Sequence, residues 1–216
     1  MSESTVLFEA CVESVAEAVA AERGGAGRIE LCVDLAIDGI TPPMEMITEA
    51  CRAVKVPVMV LVRPRGGEFR YSPIEVSAMI GSIERARSLG AAGVVIGALA
   101  ADGGIDRAVT ERLVKAARPM SVTFHRAFDV VPDRADALET LVTLGVDRVL
   151  TSGGAPTAEA GVLELKRLVD QAAGRIGILA GGRIRAGNVA AIVRATGVRE
   201  VHAHTDAAEL MKALRR

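Results

Sequence analysis

Short apolar runs and amphipathic stretches alternate along the whole chain. The runs are rich in Val, Ile, Leu and Ala, and glycine, proline or helix-capping residues separate them, as is typical of buried strands. They predict eight strands, over residues 6–12, 28–33, 58–62, 94–97, 122–124, 148–151, 176–180 and 200–204.

The stretches between these runs carry helix signals. Ser72, Pro73 and Glu75 combine an N-cap, an N1 proline and a capping box, and apolar residues follow at helical spacing. Thr41 and Pro42 likewise predict a helix start. Strict alternation of eight strands with eight helices predicts an α/β fold, a parallel sheet closed into a (β/α)₈ TIM barrel, with residues 1–216 as one domain. The alternative is an open doubly wound sheet, but no Gly-x-Gly-x-x-Gly follows the first strand.

Composition narrows the class of protein. Half of the residues are hydrophobic and only 2% are aromatic, which suits a sheet covered on both faces. A net charge of −1 gives no basic footprint for nucleic acid. No run of about 18 apolar residues and no signal peptide is evident, so we expect no membrane partner. Three cysteines without framework spacing favour a reducing cytoplasm.

Polar residues gather at the carboxyl ends of the predicted strands, where active sites of (β/α)₈ barrels lie. All three histidines of the chain belong to this set. The set comprises Glu9, Cys11, Glu30, Cys32, Arg63, Arg65, His125, Arg126, Asp129, His202 and His204. We therefore expect a functional site at this mouth of the barrel.

Period-two alternation places Glu9 with Cys11, and Glu30 with Cys32, on single strand faces. A lone carboxylate facing the helices would be costly, so both pairs are expected to point into the barrel. Arg63 is the expected cation for the two glutamates. The alternative is an ion network that only plugs the barrel.

Cys11 and Cys32 lie on adjacent strands, whose backbones are ~4.8 Å apart in a sheet. Two inward thiols could hold a soft ion such as Cu(I), with histidines as further ligands. The alternative is that both thiols are small buried hydrophobes.

Glycine pairs after the sixth and seventh strands, Gly153-Gly154 and Gly181-Gly182, lie in or next to the region where barrels often bind phosphate, and Arg183 adds charge. They could instead only permit tight turns. These residues support an enzyme that acts on a small anionic substrate, with His125 as acid or base and Asp129 orienting it. In that hypothesis the catalytic residues are Glu9, Glu30, His125 and Asp129. The substrate-binding residues are Arg63, Arg65, Arg126, Ser152, Gly181, Gly182 and His202.

Collinear motifs spread over nearly the whole chain make it resemble the CutC family of copper homeostasis proteins. The matching segments are Phe8-Glu9-Ala10-Cys11-Val12, Arg28-Ile29-Glu30-Leu31-Cys32, Gly39-Ile40-Thr41-Pro42, Arg63-Pro64-Arg65-Gly66-Gly67-Glu68-Phe69, Thr123-Phe124-His125-Arg126-Ala127-Phe128-Asp129, Leu150-Thr151-Ser152-Gly153-Gly154, Gly181-Gly182 and Glu200-Val201-His202.

The resemblance implies a cytoplasmic TIM barrel that handles copper, forms a homo-oligomer (dimer or tetramer) and uses Cys11 and Cys32 as copper ligands. Two positions depart from the family pattern: Asp38 replaces a usual Gly, and His204 replaces a usual Ser. The last βα unit is also shorter than the family's. We therefore expect a copper-binding protein. One alternative is the enzyme for a small anion, and another is a barrel with a purely structural polar mouth.

Overall fold

A computed structural model describes residues 6–215, which form a closed barrel of eight parallel strands. Each strand pairs with the next along the chain, and β1 pairs with β8 to close the barrel. The strands are β1 (Leu7–Val12), β2 (Arg28–Leu31), β3 (Val58–Leu61), β4 (Gly93–Ile96), β5 (Ser121–Phe124), β6 (Arg148–Thr151), β7 (Gly177–Ala180) and β8 (Glu200–Ala203). The predicted TIM barrel is confirmed, and the open sheet is excluded.

An α-helix follows every strand and packs on the outside of the barrel. The helices are α1 (Val15–Arg23), α2 (Met44–Ala53), α3 (Pro73–Ser88), α4 (Arg107–Ala117), α5 (Arg134–Thr143), α6 (Val162–Ala172), α7 (Val189–Thr196) and α8 (Ala207–Leu214). Short 3-10 turns at Leu35–Ile37 and Arg126–Val130 lie in the loops after β2 and β5. Within residues 6–215, none of the helices is long and apolar enough to cross a membrane.

One of the two capping signals in the sequence places its helix start correctly. Ser72 and Glu75 form the predicted capping box at the start of α3. The expected cap at Thr41 is wrong, because α2 begins only after Pro43. The Thr41 hydroxyl instead donates to the Arg63 carbonyl and accepts from the Arg63 N–H, which ties the loop after β2 to the end of β3.

Alternate strand residues face two different layers, as the period of two requires. Outward residues such as Phe8 and Ala10 pack against the helices in the main hydrophobic core. Inward residues form a separate apolar cluster inside the barrel. Its buried members are Cys11, Cys32, Met59, Leu61 and Val95.

A chain of charged side chains fills the amino-terminal half of the barrel interior. Glu9 lies opposite Arg28 of β2 in the strand register, and Arg28 Nε donates to its carboxylate. Arg28 Nη2 also donates to Glu200 Oε2 at 2.5 Å, and Arg148 Nε lies 3.5 Å from the same oxygen. Arg28 is 5% exposed and Glu9 is 0% exposed, so this pair depends on its own geometry rather than on water.

Arg63 is not the cation of these glutamates, contrary to expectation. Among the described residues, no salt bridge joins it to Glu9 or Glu30. Its guanidinium donates instead to the carbonyl oxygens of Ile37, Gly39 and Gly67, with N–O distances of 2.9–3.1 Å. Arg63 therefore holds together the loops after β2 and β3.

Replacing Arg28 by methionine leaves the buried Glu9 carboxylate without its arginine. Breaking a buried ion pair from one side costs about 3–5 kcal/mol, so we expect Arg28→Met to lower the free energy of unfolding by that amount in urea denaturation. Arg175→Gln is the control, because Arg175 pairs with Glu139 on the surface and should cost less than about 1 kcal/mol. Equal losses in the two variants would contradict this ranking.

Candidate functional site

A cavity of about 490 Å³ opens at the carboxyl ends of the strands. Most of the polar residues expected at the mouth line it, and they come from β1, β2, β8 and the loops after β3, β5 and β7. The expected residues on its wall are Cys11, Glu30, Arg63, His125, Arg126, Asp129, Gly182, His202 and His204.

Five expected site residues do not line the cavity. Glu9, Cys32, Ser152 and Gly181 are buried and do not reach its surface. Arg65 is on the protein surface, where its Nε donates to Glu75 Oε1 at 2.6 Å. Its other guanidinium nitrogens donate to loop carbonyls, so Arg65 stabilises the loop after β3.

Three side chains converge on the cavity floor. Ligand atoms of Cys11, Glu30 and His202 all lie within 4.8 Å of one another. They meet because β1 lies between β2 and β8 in the barrel, and each strand points one of these side chains inward. A thiol, a carboxylate and an imidazole at this spacing could hold a metal ion.

Glu9 lies beneath this floor and fixes the His202 ring. His202 Nδ1 is 2.8 Å from Glu9 Oε1 and 3.8 Å from Glu30 Oε2. Because a carboxylate only accepts, Nδ1 carries the proton and Nε2 is the ring nitrogen left for a ligand. A carboxylate behind a histidine is the usual support of a metal-binding imidazole.

The carboxyl groups of the two glutamates differ in pKa. Burial by itself raises the pKa of Glu9, but the hydrogen bond from His202 and the charge of Arg28 lower it to about 2. Burial raises the pKa of Glu30 to about 7, and its Oε2 has no hydrogen-bond partner within residues 6–215. Burial lowers the pKa of His202, but the charges of Glu30 and Glu9 outweigh it and raise this pKa overall. Glu9 is therefore ionised, whereas Glu30 can exchange a proton near neutral pH.

The two thiols are neighbours but differ in access. Cys11 Sγ lies 3.7 Å from Cys32 Sγ, and Cys32 Sγ is also 3.7 Å from the Val12 carbonyl oxygen. Contact with Cys32, burial and the charge of Glu30 all raise the pKa of Cys11, so its thiol is protonated. Only Cys11 faces the cavity, and Cys32 is not part of the three-residue cluster. The three described residues that could hold a metal ion here are therefore Cys11, Glu30 and His202, and Cys32 lies next to this group in contact with Cys11.

His125 lies on the cavity wall with a fixed ring orientation. The Ala127 N–H donates to His125 Nδ1 at 3.1 Å, which leaves Nε2 without a partner in the described part of the chain. Burial, followed by the charge of Arg63, lowers the pKa of His125 to about 3. The ring is therefore neutral and is not poised for proton transfer near pH 7, where we had expected it to act as acid or base.

Asp129 does not orient His125, and that expectation was wrong. Its carboxylate accepts from the Thr151 hydroxyl at 2.5 Å and from the amides of Ser152 and Gly154 at 3.0 Å each. Arg126 Nε also donates to it at 2.7 Å. An internal carboxylate thus occupies the glycine turn after β6, one of the two turns that the sequence offers either as a phosphate site or as a simple tight turn.

Two kinds of site residue were not predicted from the sequence: the buried arginine Arg28 and the apolar residues that line the cavity. Arg28 has a signal, because it lies two residues before Glu30 and so shares its inward strand face. Phe69, Leu150 and Ile184 also line the cavity, but apolar residues give no sequence signal that separates a cavity wall from a core.

A second cavity, of about 450 Å³, lies on the outer side of Cys11, between α1 and α8. Cys11 and His204 line both cavities. The exposed His204 ring places Nδ1 3.0 Å from the Cys11 carbonyl oxygen. This carbonyl accepts from Nδ1, so the bond joins the end of β8 to the end of β1 at the wall between the cavities.

The neutral His125 makes stability sensitive to acid. The pKa of His125 is about 3 in the folded state and near 6.5 in the unfolded chain. Below pH 6.5 the unfolded chain therefore binds a proton that the folded state does not bind. Between pH 7 and pH 5 we expect wild type to lose about 2 kcal/mol more stability than His125→Gln in urea denaturation. Equal pH dependence in wild type and His125→Gln would contradict the buried neutral ring.

Comparison with known proteins finds one family that matches most of the described chain. The CutC family model matches residues 6–207. A copper homeostasis protein cutC homolog from Mus musculus is 50% identical over 91% of this chain and 72% of its own length. A family protein CutC from Caulobacter vibrioides is 48% identical over 94% of this chain and 82% of its own length.

Solved structures extend the comparison to the fold. A CutC protein from Streptococcus agalactiae superposes with a TM-score of 0.89 at 34% identity, over 93% of this chain and 99% of that one. An aldolase superposes with a TM-score of 0.74 at 17% identity, over 100% of this chain and 98% of that one, and this likeness shows the barrel fold alone. With its motifs, its fold and a family match over most of its length, this chain belongs to the CutC family of copper homeostasis proteins.

Proposed function

We propose that this protein binds and hands on Cu(I) at the cavity floor, with Cys11 and His202 as the principal ligands. The observation that carries the proposal is the convergence of Cys11, His202 and Glu30 within 4.8 Å. The names of the mouse and human relatives, copper homeostasis protein cutC homologs, point to the same metal.

The donor set fits this metal in part. A thiolate and an imidazole are donors that Cu(I) accepts, whereas a carboxylate suits harder ions. Glu30 is therefore better placed as a proton acceptor than as a strong ligand, because its pKa is about 7. Cys11 must lose its proton to bind the metal, and the Glu30 carboxylate lies next to it. Cys32, 3.7 Å behind Cys11, supplies a second sulfur within reach of the same ion.

The same proposal includes a cytoplasmic location and a homo-oligomeric state. All three cysteines are unpaired, which supports a reducing compartment. Assembly into a dimer or tetramer rests on the family resemblance.

A second candidate function is an enzyme that acts on a small anionic substrate. It is favoured by the size of the mouth cavity, because about 490 Å³ is typical of small-molecule sites and far more than a metal ion needs. Arg126 and Arg183 are the cationic side chains on its wall that an anion could meet. In this function Glu30, rather than His125, is the group whose pKa suits proton transfer.

Cysteine replacement tests the copper site. We expect Cys11→Ser to weaken Cu(I) binding by more than the roughly 10–100-fold that loss of an outer-shell partner costs, because it removes the only thiol that faces the cavity. Competition with a Cu(I) chelator under anaerobic conditions measures the affinity. Cys32→Ser should have a smaller effect than Cys11→Ser.

Cys51→Ser is the matched control, since Cys51 is half-buried on α2 and does not line the cavity. Its Cu(I) affinity should equal that of wild type. Unchanged affinity in Cys11→Ser would overturn the site on the cavity floor, and equal losses in Cys11→Ser and Cys51→Ser would show that binding is not specific to it.

A further inference from the structure

The His125 ring carries a buried N–H donor that the described protein does not use. Ala127 donates its backbone N–H to Nδ1, so Nδ1 must present a lone pair. In the neutral ring the proton is then on Nε2. This atom is buried and has no hydrogen-bond partner among residues 6–215. A buried donor without an acceptor costs free energy, which a ligand oxygen in the cavity would recover.

The surroundings of His125 are built to hold this ring in place. The end of β4 contributes Gly97, and a Cβ there would lie 2.2 Å from His125 Cε1, so only glycine admits the ring. Phe69 packs against the ring, with the two ring centroids 5.0 Å apart. The Arg63 guanidinium in turn lies over the Phe69 ring, 5.1 Å from its centroid. His125 is 6% exposed and lines the mouth cavity.

Two arginines, Arg126 and Arg183, line the same cavity, together with the carboxyl groups of Glu30, Asp38 and Asp129. Arg126 is fixed at the wall by Asp129 and by the Ser152 hydroxyl, which Nη2 meets at 3.0 Å. Arg183 lines the cavity too, and within the described residues no carboxylate lies within salt-bridge distance of it. The Asp129 carboxylate is already satisfied by backbone amides. An anionic ligand in this cavity can therefore meet the guanidinium of Arg183, which has no carboxylate partner among the described residues, as well as the free N–H of His125.

We infer that the mouth cavity binds a small organic acid, with one ligand oxygen accepting the hydrogen bond from His125 Nε2–H and the carboxylate facing Arg126 and Arg183. This inference rests on the second candidate function, binding of a small anion, and is independent of copper. His125 acts as a neutral donor in this role, so it polarises a bound oxygen without adding charge.

The geometry disfavours a metal ion at His125 and a phosphate at the glycine turn after β6. A metal ion needs a ring lone pair, whereas the free nitrogen of His125 carries a proton. A phosphate at the glycine turn after β6 would have to displace the Asp129 carboxylate from the amides of Ser152 and Gly154.

Nitrogen-15 NMR of the full metal-free chain tests the assignment directly. Long-range ¹H–¹⁵N spectra of the histidine rings should show His125 as the Nε2–H tautomer before any ligand is added. Titration with malonate or pyruvate should shift the His125 Nε2 resonance with saturation. Malonamide, the neutral isostere of malonate, should bind at least about tenfold weaker, because it lacks the charge that Arg126 and Arg183 recognise.

Two variants separate the donor from the charge. His125→Phe removes the donor and should weaken malonate binding at least about fivefold, whereas His125→Gln, which keeps an N–H donor, should recover part of it. Arg183→Gln removes charge without touching the ring and should weaken malonate binding at least about tenfold. Arg85→Gln, on the exposed face of α3, is the control and should bind as wild type.

Each other result would overturn a defined part of the inference. Malonate binding that is equal in wild type and His125→Phe would remove His125 from the site and leave the anion-binding function standing. Inorganic phosphate that binds when malonate and pyruvate do not would overturn the organic acid. If none of the three anions binds, the second candidate function fails as well, whereas the Cu(I) titration of Cys11→Ser is unaffected by that outcome.

Discussion

The ionised carboxylate of Glu9 is the interaction on which the interior of this barrel depends. It is fully buried and lies between Arg28 of β2 and His202 of β8, so one charge joins three neighbouring strands at the point where the barrel closes. A buried charge is tolerated only when it is paired and hydrogen-bonded, and here both carboxylate oxygens are used. The closure of the barrel and the support of its floor therefore rest on the same group.

The properties of the cavity floor follow from that charge. Because Glu9 stays ionised, it favours the protonated His202 ring and, together with burial, disfavours ionisation of Glu30. Cys11, next to them, keeps its proton. The floor thus holds exchangeable protons on a thiol, a carboxyl and an imidazole at one place, which suits a centre that gives up protons when a cation arrives.

The alternation of apolar residues and the polar residues at the strand ends made the barrel and much of its mouth predictable. The count of eight alternating units identifies the barrel, and inward alternation places Cys11, Glu30 and His202 at one mouth. Partner choice was not predictable, because it depends on strand register and loop path. Arg63, like the glutamates, belongs to the polar residues predicted at the mouth, but its guanidinium donates to loop carbonyl oxygens. Asp129 lies four residues after His125, but its carboxylate accepts from Thr151 at the end of β6. Cys32 shares a strand face with Glu30, yet one further step along the strand takes it out of the cavity.

The Asp129 carboxylate has a consequence for selectivity. It belongs to the same chain as the amides after β6 that donate to it. Its effective concentration at that turn is therefore on the order of millimolar or higher. Dissolved phosphate esters must compete with this permanent occupant for the same N–H groups. A phosphate ester therefore gains these hydrogen bonds only when Asp129 leaves the turn after β6.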